Sequence, residues 1–542
     1  MTTGNIFSSC TDDFEKLNTS NIQVDPADLP FAAQCTEPMT YCYPPQQNMF
    51  QFWTNLTIDL YGGYFMTPNG NFTNGDMGEN RGHSGGMYEN YYLHIFNNTR
   101  RIIAQCDASG ERGLSGVMRI VQAYGTLMTT DAYGPIPYSS ILSGENEVYF
   151  EFDSQKDLYK AMLEDLSTAI TDISAMGADE IAKLKSFDCW CNGDKDLWVK
   201  IANTMKLRMA LRLSKRETEA GNAGMNLKAI ATEAAQNTLA TVNKDILIDK
   251  SLENEMWLMF NWGDCGFNAN LVTIMSGTKD PRQPLYMTLN TGDIKNEAGT
   301  TTVAANSQYL GIRFASGLPA KPNSWGNFSG WIQGNNGSSY SMPLPIMKAA
   351  EAYFLLAEAK LRWDIGSESV KNLYENGIRV SMTNELAYRG AYAGIKEYPE
   401  GAVDAYINGT STQIDYTDPI KAELSTPAVN KLSVKWDESA SNEEKTGKNH
   451  HPKNGSPYSP LSTEGWAEQR RTGYPRFFPA FVNESNGAVN TEEGVRRVIY
   501  SSQAYDANAK GVEGGIKLLD QENSSKFGIS GDKGGTHLWW DN

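Results

Sequence analysis

The 542-residue sequence contains no apolar run of 18 or more residues, which excludes a helix that crosses a bilayer. It also has no basic run: 47 Lys and Arg stand against 64 Asp and Glu, a formal net charge of −17. Nucleic-acid binding needs a concentrated cationic surface that displaces counterions from phosphate, so no nucleic-acid partner is expected. Histidine is scarce, at five residues, and His450 and His451 sit in the polar run GKNHHPKNGSPY, which reads as solvated surface. The seven cysteines include no CxxC pair of zinc spacing, and Cys189 and Cys191 are separated by a single residue. Cys35, Cys42, Cys106, Cys189, Cys191 and Cys265 read as packed thiols, with one or two bridges open to an exported protein. Catalytic signatures are missing as well: there is no HExxH, no Walker-type loop and no GxGxxG after a strand. Asp131, Asp264 and Asp280 are the carboxylates to nominate for a glycosidase pair. Each has a plainer reading as a turn or cap residue, so the chain is not expected to be an enzyme.

What the chain does have is helical periodicity, in adjacent pairs. The richest segment is residues 342–363, MPLPIMKAAEAYFLLAEAKLRW. Here Ile346, Ala350, Tyr353, Phe354, Ala357 and Leu361 recur at spacings of three and four, and the alanines let a partner helix approach closely. VKNLYENGIRVSM at 370–382 supplies the partner. A second pair runs from Tyr92 to Ile103 and from Val117 to Leu127, and a third from Tyr159 to Ile173 and from Trp198 to Leu213. Such pairs cannot bury their apolar faces singly, which predicts a mostly all-α, tetratricopeptide-like superhelix of stacked pairs, right-handed, although no strict 34-residue period survives. Residues 62–87, 263–343 and 390–465 are rich in Gly, Asn and Pro and are longer than ordinary connections. They read as long insertions on one scaffold, where binding residues concentrate.

Several segments are similar to those of a known family. They are TLMTTDAYGPIPYSS at 126–140, DLWVKIANTMKLRMALRLS at 196–214, LVTIMSGTKDPRQPLYM at 271–287, GWAEQRRTGYPRFFP at 465–479 and RRVIYSSQAYDANAKGVEGGI at 496–516. Together with the Ala-rich pair, and in this order, they resemble the SusD/RagB-like outer-membrane nutrient-binding lipoproteins of Bacteroidetes. One departure is Ile499-Tyr500-Ser501, where the family pattern has Tyr-Pro after the arginines. Physical readings accompany the motifs. Gly134-Pro135 stops the preceding helix, Asp280 and Arg282 pair around Pro281, and Arg470 and Arg471 act as clamps that stack on Trp466 or Tyr474.

The resemblance implies a single SusD-like nutrient-binding domain over residues 21–542, preceded by a leader and tether at 1–20. Ser8-Ser9-Cys10 followed by an acidic stretch then marks Cys10 as the lipidation site. It further implies an outer-membrane, cell-surface protein held by its lipid alone, which captures an oligosaccharide or polysaccharide and delivers it to a SusC-like TonB-dependent transporter. An oligopeptide carrier of RagB type and an α-helical glycoside hydrolase or lyase are the alternatives. Glycans are gripped by exposed rings that pack on C–H faces, with neighbouring amides and carboxylates bonding the hydroxyls. The loop-rich insertions offer Phe72 and Tyr88 beside the NG-rich segment, Trp262, and the cluster Trp325, Phe328 and Trp331 among glycines and asparagines that cannot bury tryptophan locally. No cofactor is expected. Asn69, Asn71, Asn74 and Asp76 offer oxygens for a structural calcium, without the spacing or terminal glutamate of an EF-hand loop.

Overall fold

In a computed structural model of the protein the described residues are 29–43, 47–143, 149–248, 255–332, 343–450 and 461–541. The expected tether at 1–20, with Cys10, lies outside them. The three expected helix pairs all form. The first is α1 (Asn97–Ser109) with α2 (Arg112–Tyr133), the second α3 (Gln155–Ser174) with α4 (Lys195–Arg212), and the third α5 (Ala349–Trp363) with α6 (Val370–Ala393). Contacts run α1 to α2, α2 to α3, α3 to α4, α4 to α5 and α5 to α6, so the stack is continuous in chain order. No helix among the described residues is long and apolar enough to cross a membrane.

Local chemistry sets the boundaries. The Ser154 hydroxyl accepts the Asp157 N–H at 3.1 Å to start α3, and the Asp194 carboxylate accepts Asp196 and Leu197 N–H groups to start α4. As expected, α2 stops at Gly134, whose φ of +90° is open to glycine and strained for other residues, immediately before Pro135. The alanine-rich face of α5 does admit its partner closely. Gly377 of α6 leaves no room for even a methyl group, since a Cβ there would lie 2.8 Å from the Phe354 ring. Strands among the described residues are limited to five two-stranded antiparallel ribbons. Two of these sit in the insertions and matter for the site: Phe65–Met66 with Gly266–Phe267, and Met287–Asn290 with Ser329–Trp331.

The centre of the scaffold is ionic as well as apolar. Helix α7 (Leu461–Thr472) packs on α2 and brings acids and guanidiniums to meet those of α2, α4 and α5. Arg208 donates two bonds to Glu351 at 2.8 and 2.7 Å. Arg212 donates to Asp131, to Glu464 at 2.7 Å and to Glu468 at 3.0 Å, and Arg471 makes a two-pronged contact with Glu358 at 2.7 Å. Arg470 lies on the Trp466 ring at 3.6 Å and donates to the carbonyls of Asp131 and Arg496 at 2.7 Å, so both arginines are clamps as the sequence indicated. A buried charge is tolerable only when partners replace its lost hydration, and here every guanidinium has several.

Two of the three carboxylates keep their plain readings. Asp280 pairs with Arg282 at 2.6 Å as expected, and Asp264 accepts Lys321 at 2.6 Å. Asp131 requires a correction: it is an interior member of the ionic cluster, accepting also from Tyr159 and Trp540, and caps nothing. The departure at 499–501 has a local logic too. The Tyr500 hydroxyl donates to the Pro135 carbonyl at 2.7 Å, and Ser501 caps α8 (Ser502–Glu522). The six described cysteines are free, all buried except Cys189, which is partly exposed.

Candidate functional site

Two clefts are bordered in part by residues of the insertions. The first, of about 500 Å³, is lined by Trp325, Phe328 and Trp331, but these rings do not stand exposed as a stacking platform, which corrects the expectation above. Trp325 is 6 % exposed, and Phe328 and Trp331 are 2 % exposed. The physical reason is long-range. Strand Ser329–Trp331 pairs with Met287–Asn290 and carries Trp331 in among Phe65, Phe260 and Phe267, with the Arg389 guanidinium 4.5 Å above its ring. Trp325 is held by its indole N–H, which donates to Asp418 at 3.1 Å. The local run of Gly and Asn cannot bury these rings; partners far away in the sequence do. Trp262, between the lining residues Asn261 and Gly263, is 37 % exposed, and its carbonyl accepts from Lys321 at 2.8 Å.

The other two nominated rings go elsewhere. Tyr88 is half-buried against Tyr92 and Tyr133, at ring separations of 4.8 and 5.7 Å, and burial raises its hydroxyl pKa. Phe72 is half-buried beside His83 at 5.8 Å, and His83 is itself stacked on Phe52 at 4.9 Å. Three of the four residues weighed for calcium have a side-chain oxygen met by a protein partner. Asn69 Oδ1 accepts the Asn71 N–H at 3.2 Å, Asn74 Oδ1 meets His83 at 3.0 Å, and Asp76 Oδ1 accepts the Gly317 N–H at 2.9 Å. Among the described residues no group of three or more His, Cys, Asp or Glu side chains is placed to hold a metal ion.

The second cleft, of about 360 Å³, also keeps aromatic surface open to solvent, as the first does at Phe260 and Tyr392. Its rings are Tyr61, Phe314 and Phe477, each partly exposed, with Tyr61 and Phe314 edge to face at 6.3 Å. Asn268, Asn270, Gln469, Thr491, Glu492 and Glu493 supply the polar lining. None of the three rings was singled out from the sequence. The signal was present in GYPRFFP, two consecutive phenylalanines between prolines just after the arginine clamps.

The geometry explains how these rings are held. Helix α7 is fixed by its buried arginines, and the chain that leaves it lays Phe477 against Gly63, where a Cβ would approach the ring to 2.7 Å. The next residue is pinned by its N–H, which donates to Asn270 Oδ1 at 2.8 Å. Arg313 donates to the Pro479 carbonyl at 3.2 Å through Nε and to the Leu424 carbonyl at 2.7 Å, fixing the far side. Asn74 donates to the Tyr61 hydroxyl at 3.4 Å, and burial pushes that hydroxyl up to about 12. The rings are therefore preorganised, which lowers the ordering cost of binding. Flat apolar surface beside amides and carboxylates suits a ligand whose own surface alternates C–H faces with hydroxyl groups.

Comparison with known proteins bears on this arrangement. A family model described as "SusD-like: Susd and RagB outer membrane lipoprotein" matches residues 15–541. No curated protein matches the chain. Among solved structures, the fold is similar to a chitin-binding SusD homolog from Flavobacterium johnsoniae, with a TM-score of 0.78 and 26% identity over 94% of this chain and 98% of that one. It is also similar to a SusD-like protein from Bacteroides thetaiotaomicron, with a TM-score of 0.77 and 26% identity over 94% and 99% of the two chains. A SusD homolog from Bacteroides ovatus gives a TM-score of 0.77 and 27% identity over the same shares.

Proposed function

The chain belongs to the SusD-like family of outer membrane lipoproteins, and on that premise we propose that it is a non-catalytic glycan-binding protein of the outer-membrane surface. It captures an oligosaccharide and passes it intact to a SusC-like TonB-dependent transporter. It is held to the membrane by a lipid on Cys10. The observation that carries the glycan reading is the second cleft: three partly exposed rings, Tyr61, Phe314 and Phe477, set beside Gln469 and the glutamates on a rigid helical scaffold. Sugar C–H faces pack on the rings, and the amides and carboxylates take the hydroxyls. The chitin-binding relative from Flavobacterium johnsoniae supports a carbohydrate as the ligand class. Trp262, exposed beside the first cleft, is proposed as an outlying contact for a longer chain.

Native affinity electrophoresis on gels cast with neutral polysaccharides tests this. The protein is retarded by at least one of them, and Phe314→Ala/Phe477→Ala abolishes the retardation while the circular dichroism spectrum is kept. No reducing ends are released on prolonged incubation. Retardation that survives the double substitution overturns the site. Release of sugar overturns the non-catalytic reading, and binding of oligopeptides in place of any glycan overturns the ligand class.

A further inference from the structure

The charges around the second cleft are all of one sign. Glu492 and Glu493 line it, and among the described residues no Lys, Arg or His side chain does. The basic groups nearby do not line the cleft and have partners of their own, Arg496 among them with a bond to the Glu493 carbonyl at 3.4 Å. Arg313 is buried and spends its guanidinium on the Leu424 and Pro479 carbonyls. Arg496 donates to Asp541 at 2.8 Å and to the Arg470 carbonyl at 2.9 Å. Arg476 points to Glu443 and the Tyr474 ring. His537 meets Glu493 Oε2 at 3.1 Å, which leaves Glu492, exposed at the rim, to set the local sign. The body behind carries a formal net charge of −17.

We infer that this cleft selects glycans by charge: it takes neutral chains and chains bearing amino groups, and it rejects uronates and sulfated sugars. This rests on the reading of the cleft as the glycan site. The physical basis is that a carboxylate or sulfate entering the cleft meets a rim whose lining charges are both negative, Glu492 above all, whereas an ammonium gains a partner. Like-charge juxtaposition discriminates between ligands of the same shape more sharply than apolar contact does. Exposed charges attract or repel through screened solvent, so the preference must weaken with salt.

The test uses two backbones, chitohexaose and maltohexaose, each as the neutral oligomer, an amino-bearing form and a C6-carboxylate form. The amino forms are the deacetylated chitohexaose and the C6-amino maltohexaose. Isothermal titration at 20 and 200 mM NaCl is run on the full chain and on Glu492→Gln/Glu493→Gln. On the backbone that binds, the carboxylate form is at least tenfold weaker than the neutral one, and the amino form is equal or tighter. The double substitution narrows the amino-to-carboxylate ratio by at least fivefold, and 200 mM NaCl narrows it too. Equal affinity for neutral and carboxylate forms, or a ratio unmoved by the double substitution, overturns the inference and leaves the glycan site standing. Binding of neither backbone overturns the inference, and if the affinity gels also show no retardation the glycan reading falls with it.

Discussion

Replacing Arg212 by methionine isolates the worth of the buried ionic cluster. The side chain is 1 % exposed and serves three carboxylates at once. Two of these keep a cation without it: Glu464 still meets Arg208 at 3.2 Å, and Glu468 still meets Arg471 at 2.5 Å. Asp131 loses its one ion-pair partner among the described residues and keeps the Tyr159 hydroxyl and the Trp540 indole N–H as neutral donors. The cost is therefore that of one uncompensated buried carboxylate, about 3–5 kcal/mol. An unfolding entropy of roughly 2.1 cal/mol/K per residue, taken over 542 residues, is about 1.1 kcal/mol/K, so the melting temperature falls by about 3–5 °C at pH 8. Differential scanning calorimetry reads this directly. The deficit is pH-dependent in a fixed direction. An unpaired buried carboxylate holds its proton more tightly folded than unfolded, so the variant recovers as pH falls toward 5. Asp131→Asn in the Arg212→Met background removes the charge outright and recovers at least half the loss at pH 8. A variant as stable as the parent at pH 8, or a double variant no better than the sum of the single ones, refutes the reasoning.

Asp59 is fully buried, and burial pushes its carboxyl from the ordinary 3.8 up to about 7, against the lowering effect of the Ser462 and Thr54 hydroxyls. The proton is held more tightly in the folded state, so this contribution to stability is full below pH 4 and is lost as pH rises through 7, by at most ~4 kcal/mol. Urea unfolding gives a lower midpoint at pH 8 than at pH 5 in the parent and a flatter profile in Asp59→Asn. Glu522, also raised to about 7, leaves some residual slope in the same window. Gly465 of α7 faces the Tyr64 hydroxyl, which lies 1.8 Å from where a Cβ would sit. Gly465→Ala thus costs about 1–3 kcal/mol in urea unfolding, and Tyr64→Phe recovers part of it in the double variant, a non-additivity that simple helix propensity does not produce.

The scaffold was legible because each helix carries its own record of which face is buried. The three pairs, the stop at Gly134, the Asp280–Arg282 pair and the two arginine clamps all follow from spacing or from the bonding capacity of one side chain. The aromatic site was not legible in this way. Trp331 looks stranded among small polar residues, and only its pairing with Met287, far back in the chain, reveals where the ring goes. Phe314 and Phe477 come from segments widely separated in sequence, and neither segment has a period that reports exposure. Asp131 misled for a related reason. Its neighbours along the chain suggest a turn, while its partners are Arg212 from a helix pair further on and Trp540 near the end.

The ionic cluster joins parts of the chain that nearest-neighbour stacking alone would leave independent. In a simple solenoid each repeat answers only to the ones beside it, and unfolding is free to begin at either end and creep inward. Here Glu351 and Glu358 in the third pair, Arg208 and Arg212 in the second, Asp131 in the first and Glu464, Glu468 and Arg471 near the C-terminus form one connected set of ion pairs. Partial opening would strand charge in a dry interior, so the body melts as one cooperative block. The excursions that carry the rings are thereby free to vary in sequence from one relative to another without loosening the frame.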